Sequence, residues 1–246
     1  MCGIVGHVAC QASQRSRQVV LDGLSRLEYR GYDSAGIALA SPGKLNVIKA
    51  VGKLVNLREA VDQDAPADAF AGIGHTRWAT HGRPTVANAH PHVSPDGRFA
   101  LVHNGIIENA DNLRAQLRAQ GAIFTSETDT EVVVHLLAHA YDQADPASYT
   151  GEVAQLSGTD EAVARRLVVA MREVTAKLEG TFTLLALSTE SPNVIVAARR
   201  SSPLVIGLGE GENFLSSDVL AFIEHTNRAV EIGQDQLVVV SASAVT

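Results

Sequence analysis

The residue with the clearest chemical potential is Cys2, which directly follows the initiator methionine in MCGIVG. Initiator methionine is commonly removed when the next residue is small, and removal would give Cys2 a free α-amino group beside its thiol. A thiolate is a strong nucleophile, and the pKa of an α-amine lies close to that of a thiol, so one residue would supply both nucleophile and base. The alternative is a structural role, because small buried cysteines are common.

Two later stretches place charged side chains in loops. EYRGYDSAGIAL (28–39) ends a helix, turns through two glycines and enters a strand, which puts Arg30 and Asp33 in the connection. GIGHTRWATHGRP (72–84) begins like a strand and continues into candidate binding residues: Arg77, Trp78, Thr80 and His81. A forked guanidinium matches a carboxylate, so this stretch is a candidate anion clamp. A lone tryptophan is otherwise typical of a core.

Two further stretches each allow a structural and a functional interpretation. In LVHNGIIEN (101–109), the pair Asn104-Gly105 is a strong hairpin signal, but an amide side chain beside a glycine N–H also suits an oxyanion hole. In SETDTEVVVHLL (126–137), Thr128 and Glu131 have the spacing of a capping box, which predicts a helix start. Asp129 at that helix start would either complement the helix dipole or bind a ligand's ammonium group.

Metal and phosphate sites are not supported by the sequence pattern. Five of the nine histidines lie within 29 residues: His75, His81, His90, His92 and His103. No cysteine pair or HExxH helix accompanies them, so we predict no metal. GLGEGEN has Glu212 where a GxGxxG loop needs its third glycine, so we also predict no nucleotide cofactor.

The elements that must position these residues are short strands and a few helices. Apolar runs predict strands: GIVGHVA, AGIALA, LNVIKAV, FALVHNG, TFTLLAL, NVIVAA, PLVIGLG and QLVVV. Periodicity and stop signals predict helices over 14–27, 109–120, 130–141 and 160–179. The polar segment 142–159 is expected to be a surface excursion and not a linker. Many strands with a few helices indicate layered sheets and helices.

Composition limits the setting. The 246 residues are 46% hydrophobic, which suffices for one domain with a large core. A net charge of -7 argues against nucleic acid as a partner. The sequence has no leader pattern and no apolar run long enough for a membrane span, and its two cysteines cannot form a disulfide framework. We therefore expect a cytoplasmic protein with no membrane partner.

Taken together, the motifs resemble those of a known family. CGIVG, YRGYDSAG, RWATHG, HPH, VHNGIIEN and SETDTE, followed by AARRSSPLVIGLGEGENFLSSD, occur in the order and approximate spacing found in the glutaminase domain of glucosamine-6-phosphate synthase. That domain is an N-terminal-nucleophile (class II) glutamine amidotransferase. The resemblance implies an α+β fold, a four-layer αββα sandwich that presents Cys2 at the end of a strand.

The resemblance also implies a role for each candidate residue. Cys2 would be the nucleophile and its own amine the base, while the Asn104 side chain and the Gly105 N–H would form the oxyanion hole. Other residues would bind glutamine, Arg77 at the α-carboxylate and Asp129 at the α-ammonium, with pocket walls from Trp78, Thr80, His81 and Gly105. Arg30 would support the oxyanion side. Glutamine would be hydrolysed to glutamate and ammonia without metal or cofactor.

Three alternatives or limits accompany this interpretation. Amidophosphoribosyltransferase shares the N-terminal cysteine and an Asn-Gly pair, although RWATHG and YRGYDSAG match the glucosamine branch better. A catalytically idle glutamine-sensing module would have lost Cys2, Asn104 or Gly105, and none is lost. The resemblance covers 1–246 as one glutaminase domain, so we expect the sugar isomerase domains to be absent from this chain. In the full-length enzyme, which we expect to be a homo-oligomer, the isomerase domains would be the partner of this glutaminase domain.

Overall fold

The computed structural model describes residues 2–64, 68–78 and 82–246, which contain twelve strands and five α-helices. The strands are β1 (Gly3–Ser13), β2 (Ser34–Ser41), β3 (Lys44–Val51), β4 (Ala69–Arg77), β5 (His92–Val93), β6 (Phe99–Ile107), β7 (Gly180–Ser188), β8 (Ile195–Arg200), β9 (Val205–Leu208), β10 (Glu212–Ser216), β11 (Ala229–Glu231) and β12 (Gln236–Val240). The helices are α1 (Arg15–Arg26), α2 (Leu54–Asp64), α3 (Ala110–Ala119), α4 (Asp129–Gln143) and α5 (Gly158–Lys177).

The strands form two antiparallel sheets. The first has the order β11-β9-β10-β1-β4-β2-β3, and the second has the order β12-β8-β7-β6-β5. Strand β1 therefore lies inside the first sheet, between β10 and β4. Strand β6 lies inside the second sheet, where it pairs with β7 over nine residues, from Phe99 to Ile107. Strand β1 is paired along both edges, whereas β6 pairs with β5 only at Ala100 and Leu101, so the pairing with β7 positions the rest of β6.

Three apolar clusters separate four layers. Ile4, Ile73, Val102 and Leu185 belong to the cluster between the two sheets. A second cluster joins α1 and α2 to the first sheet, and a third joins α3, α4 and α5 to the second sheet. The expected α+β fold, a four-layer αββα sandwich, is therefore confirmed. Helix α1 packs closely on β4 because Gly74 has no side chain: a Cβ there would lie 2.5 Å from the Cγ1 of Val20.

The four predicted helices are confirmed to within two residues at each end. Helix α2 was not predicted, although its apolar residues Leu54, Leu57 and Val61 have helical spacing and are buried. The segment 142–159 is only partly a surface excursion. It contains a 3-10 turn at Pro146–Ser148, but Val153 and Ala154 are buried against the helical layer. No helix in the described part of the chain is long and apolar enough to cross a membrane.

The predicted capping box at the start of α4 is wrong in its hydrogen bonds. Thr128 is the N-cap residue, but its side chain caps no backbone N–H, because its hydroxyl lies 2.9 Å from His92 Nε2 and 3.0 Å from Ser126 Oγ. Glu131 instead accepts from the backbone N–H groups of Thr125 and Ser126, at 2.8 and 2.7 Å. Those hydrogen bonds hold the loop that leads into α4, so the start of the helix is positioned without a capping box.

Candidate active site

Cys2 lies at the beginning of β1, at one end of the first sheet. The backbone N–H of Trp78 donates to the Cys2 sulfur at 3.2 Å, and the thiol lies 3.5 Å from the Trp78 carbonyl oxygen. Burial raises the pKa of the Cys2 thiol above its ordinary value, and the Trp78 N–H partly offsets that rise. The sulfur is therefore protonated at neutral pH, and nucleophilic attack needs a base.

Asn104 and Gly105 reach the same place from the second sheet. The Asn104 side-chain Nδ2 donates to the Cys2 carbonyl oxygen at 3.0 Å. Both residues lie within β6, opposite Thr183 and Phe182 of β7, so the hairpin interpretation of Asn-Gly is wrong. Pairing along the whole strand overrides the local turn signal. The structure thus brings the predicted nucleophile and the predicted oxyanion donors together between the sheets.

Gly105 satisfies a steric requirement of that arrangement. Its φ is +125°, a conformation that residues with a side chain rarely adopt. A Cβ at this position would lie 2.6 Å from the carbonyl carbon of Thr181 and closer still to its oxygen. Glycine therefore lets β6 keep its pairing with β7 while the backbone turns beside Cys2.

Two cavities meet at Cys2, and they share Trp78 and Gly105 as walls. The larger has a volume of about 270 Å³ and is otherwise lined by Arg30, Asn104, Ile106, Thr181, Ser202 and Pro203. The smaller has a volume of about 30 Å³ and is otherwise lined by His75, Arg77, His90, His103, Thr128, Asp129 and Thr130. Trp78 is 49% exposed and packs edge-on against Tyr32, with ring centroids 5.4 Å apart, so its interpretation as a core residue is wrong.

The predicted glutamine clamp lies on the smaller cavity. Arg77 is buried at the end of β4 and donates to the carbonyl oxygens of Gly82 and Arg83, at 3.0 and 3.3 Å. Asp129, the first residue of α4, accepts from the backbone N–H of Ile107 at 2.9 Å. The side chains of Arg77 and Asp129 therefore line the same small cavity, and hydrogen bonds to the backbone hold each of them in place.

The remaining predicted residues have different outcomes. Arg30 ends a 3-10 turn, lines the larger cavity and donates to Asp218 Oδ2 at 2.5 Å. Thr80 and His81, predicted as pocket residues, lie outside the described residues.

Four of the clustered histidines form a buried group, and three of them line the smaller cavity: His75, His90 and His103. His75 and His90 stack with ring centroids 4.1 Å apart, and His92 packs edge-on against His90. Burial lowers the pKa of His75 to about 3 and also lowers the pKa values of His90, His92 and His103. These rings are therefore neutral. Within 2–64, 68–78 and 82–246, no group of three or more histidine, cysteine or acidic side chains could hold a metal ion.

Sequence reasoning missed several residues of the site. His75 was considered only as a metal ligand, although its position two residues before Arg77 on a strand places both side chains on one face. Asp218 holds Arg30 from 188 positions away, so no local pattern indicates the pair. Thr181 lines the larger cavity because β7 pairs with β6, and Ser202 and Pro203 reach it from the loop after β8, the strand that pairs with β7.

The αββα sandwich with a cysteine at the end of an interior strand defines the class of N-terminal-nucleophile amidotransferases. Residues 40–148 match a family model described as a glutamine amidotransferase domain. A glutamine–fructose-6-phosphate aminotransferase of Leifsonia xyli is 53% identical over 100% of this chain and 36% of its own length. One from Streptomyces coelicolor is 54% identical over 97% of this chain and 35% of its own length. These matches identify a glutamine amidotransferase domain in the chain, which spans about a third of the length of these relatives.

Solved structures agree on the fold. A Bacillus subtilis glutamine phosphoribosylpyrophosphate amidotransferase matches with a TM-score of 0.73 and 24% identity, over 100% of this chain and 48% of that one. A structure described as the allosteric regulatory enzyme of purine biosynthesis matches with a TM-score of 0.76 and 25% identity, over 99% of this chain and 48% of that one. Identity to the fructose-6-phosphate relatives is about twice as high, so the amidophosphoribosyltransferase alternative is not favoured.

Proposed function

We propose that this domain hydrolyses the side-chain amide of glutamine to glutamate and ammonia through a thioester on Cys2. One observation carries the proposal: the Cys2 thiol, the Asn104 amide and Gly105 converge at a point where two cavities meet. A nucleophile beside two amide donors is the arrangement that acyl transfer requires.

The reaction follows from the chemistry of these groups. Removal of Met1 would free the α-amine of Cys2, which takes the thiol proton as sulfur attacks the amide carbon of glutamine. An amide side chain has two N–H donors, so the Asn104 bond to the Cys2 carbonyl leaves one for the developing oxyanion, beside the Gly105 N–H. The protonated amine then gives its proton to the amide nitrogen, which leaves as ammonia when the C–N bond breaks. Water attacks the thioester, and glutamate leaves with the thiol restored.

Recognition of the α-groups belongs, in this proposal, to Arg77 and Asp129, with Trp78, Thr80 and His81 as further walls. The smaller cavity, which Arg77 and Asp129 both line, has a volume of about 30 Å³, room for about two water molecules. Glutamine is larger than this, so its binding includes a widening of the smaller cavity. Trp78 is half exposed and shared by both cavities, which makes it a wall that can move without disturbing the core.

The role of the whole protein is a further part of the proposal. Relatives that match over this chain are named glutamine–fructose-6-phosphate aminotransferases, and about two thirds of their length lies outside the match. We assign 1–246 as the glutaminase domain, which supplies ammonia to an isomerase partner domain for conversion of fructose 6-phosphate to glucosamine 6-phosphate. The expectations of a homo-oligomeric full-length enzyme and of a cytoplasmic location belong to the same proposal.

A glutaminase assay on purified protein tests the central reaction. Wild type should release glutamate and ammonia in equal amounts without added metal or cofactor, and Cys2→Ala should release neither. Cys10→Ala is the matched control, because Cys10 is exposed on β1 away from both cavities and its loss should leave turnover unchanged.

A second variant tests the oxyanion role. Asn104→Ala removes one donor and should lower kcat by about 100-fold to 1,000-fold, with a smaller effect on KM. Turnover that persists in Cys2→Ala, or that a chelator removes from wild type, would rule out the mechanism. If wild-type protein that is shown to lack Met1 has no turnover, the result would instead favour the glutamine-sensing module.

A further inference from the structure

His75 contacts the side chain of Asn104, the proposed oxyanion donor. Its Nε2 lies 3.0 Å from the Asn104 side-chain Oδ1 and 3.0 Å from the backbone carbonyl oxygen of His103. Both neighbours are hydrogen-bond acceptors, and two acceptors at that distance require a proton on Nε2. His75 therefore donates a shared hydrogen bond to the amide oxygen of Asn104.

That bond determines which way the Asn104 amide faces. As placed, Oδ1 receives the His75 proton while Nδ2 donates to the Cys2 carbonyl oxygen at 3.0 Å. A flipped amide would direct its N–H₂ at the N–H of His75 and its oxygen at the Cys2 carbonyl oxygen. Both contacts would then be repulsive, donor to donor and acceptor to acceptor.

We propose that His75 is a positioning residue that holds the Asn104 amide with its N–H₂ towards Cys2. The inference rests on the proposed glutaminase function, since its consequence is an oxyanion donor that is correctly oriented before glutamine arrives. Asn104 touches the reacting atoms, whereas His75 acts through Asn104. Orientation before binding is what makes such donors effective, because no reorganisation accompanies the reaction.

The surroundings of His75 keep it in this single donor form. The residue is 1% exposed, and the His90 ring stacks on it at 4.1 Å. Within the described residues its Nδ1 has no hydrogen-bond partner. A second proton on Nδ1 would create a buried charge without a partner, and a shift of the proton from Nε2 to Nδ1 would leave Asn104 Oδ1 without a donor.

Three variants separate orientation from packing. His75→Phe keeps an aromatic ring against His90 but removes the donor, while His75→Gln keeps an N–H at a similar reach. His135→Phe is the matched control, since His135 is also buried and ring-stacked, on Phe124 in the helical layer away from both cavities. We expect kcat to fall about 10-fold to 100-fold in His75→Phe with little change in KM, to recover substantially in His75→Gln, and to remain at the wild-type value in His135→Phe.

A double variant adds the decisive comparison. On an Asn104→Ala background, His75→Phe should cost almost nothing further, because the group that it orients is gone. Wild-type kcat in His75→Phe, or the same fold-loss with and without Asn104, would overturn the inference. Failure of the proposed function has a different signature, namely turnover that does not depend on Cys2.

A measurement on the unmodified protein covers the case in which His75→Phe does not fold. Long-range ¹H–¹⁵N correlation spectra of the histidine rings should show His75 protonated at Nε2 alone between about pH 5 and pH 8, where an ordinary histidine titrates. A His75 ring with its proton on Nδ1 would overturn the inference, because Nε2 could then donate nothing to Asn104.

Discussion

Gly105→Ala tests whether the active site depends on a glycine inside a paired strand. A Cβ would lie 2.6 Å from the Thr181 carbonyl carbon and closer still to its oxygen, whereas ordinary contact begins at 3.4 Å, so β6 or β7 must shift by more than about an ångström. A residue with a side chain held at φ +125° costs about 1–3 kcal/mol, and each ladder hydrogen bond lost costs about 1 kcal/mol. We expect a loss of roughly 3 kcal/mol in the free energy of unfolding, or about 6–12 °C in Tm for a domain of this size.

The matched control is Gly43→Ala. Gly43 also has a positive φ, +70°, but a Cβ there meets nothing within 4 Å, so only the backbone cost of about 1–2 kcal/mol remains. Thermal unfolding and glutaminase turnover should be measured on both variants. Gly43→Ala should keep full kcat, while Gly105→Ala should lose kcat because its N–H moves away from Cys2. Equal Tm values and equal turnover in the two variants would refute the steric argument.

Processing of the N-terminus should control activity: protein shown by intact mass to retain Met1 should lose about 100-fold to 10,000-fold in kcat, since an amide nitrogen cannot act as a base. Full activity with Met1 retained would exclude the Cys2 amine. Arg77→Lys and Asp129→Asn, each on a Cys2→Ala background, should both bind glutamine more weakly by calorimetry, and unchanged affinity in both would remove the clamp. Burial lowers the pKa of Lys49 from its usual 10.5 to about 8, so the unfolded chain binds more protons between those values and the free energy of unfolding should rise with pH there. Urea unfolding of Lys49→Met should show a smaller rise than wild type across that window, and equal slopes would contradict the assignment.

The site residues that belong to distinctive local motifs could be predicted from those motifs and from the resemblance. Cys2, the Asn104-Gly105 pair and Asp129 line the two cavities, and each lies in or directly beside an element with clear periodicity. Trp78 was ambiguous, since tryptophan frequency alone favours a core and only the tertiary structure shows it half exposed.

Other features depend on contacts that no local window contains. The Asn-Gly pair does not form a turn, because the pairing of nine β6 residues with β7 outweighs the turn preference of these two residues. The capping box fails because Thr128 has a competing partner in His92, 36 positions earlier. The sequence pattern argued against a metal at the histidine cluster but gave these residues no other role, and only burial and ring stacking show them to be neutral hydrogen-bonding groups. In each case a long-range partner decides between two local possibilities.

The division of the site into two cavities has a consequence for inhibitor design. The smaller cavity is lined by charged and polar residues, and under the proposed function compounds that imitate the amino-acid end of glutamine would be accepted by any amidotransferase with the same clamp. The larger cavity, about 270 Å³, adds the apolar side chains of Ile106 and Pro203 and shares only Cys2, Trp78 and Gly105 with the smaller one. Substituents placed beyond the reactive carbon would enter this second space, where selectivity between related enzymes can be built without weakening attachment to the cysteine.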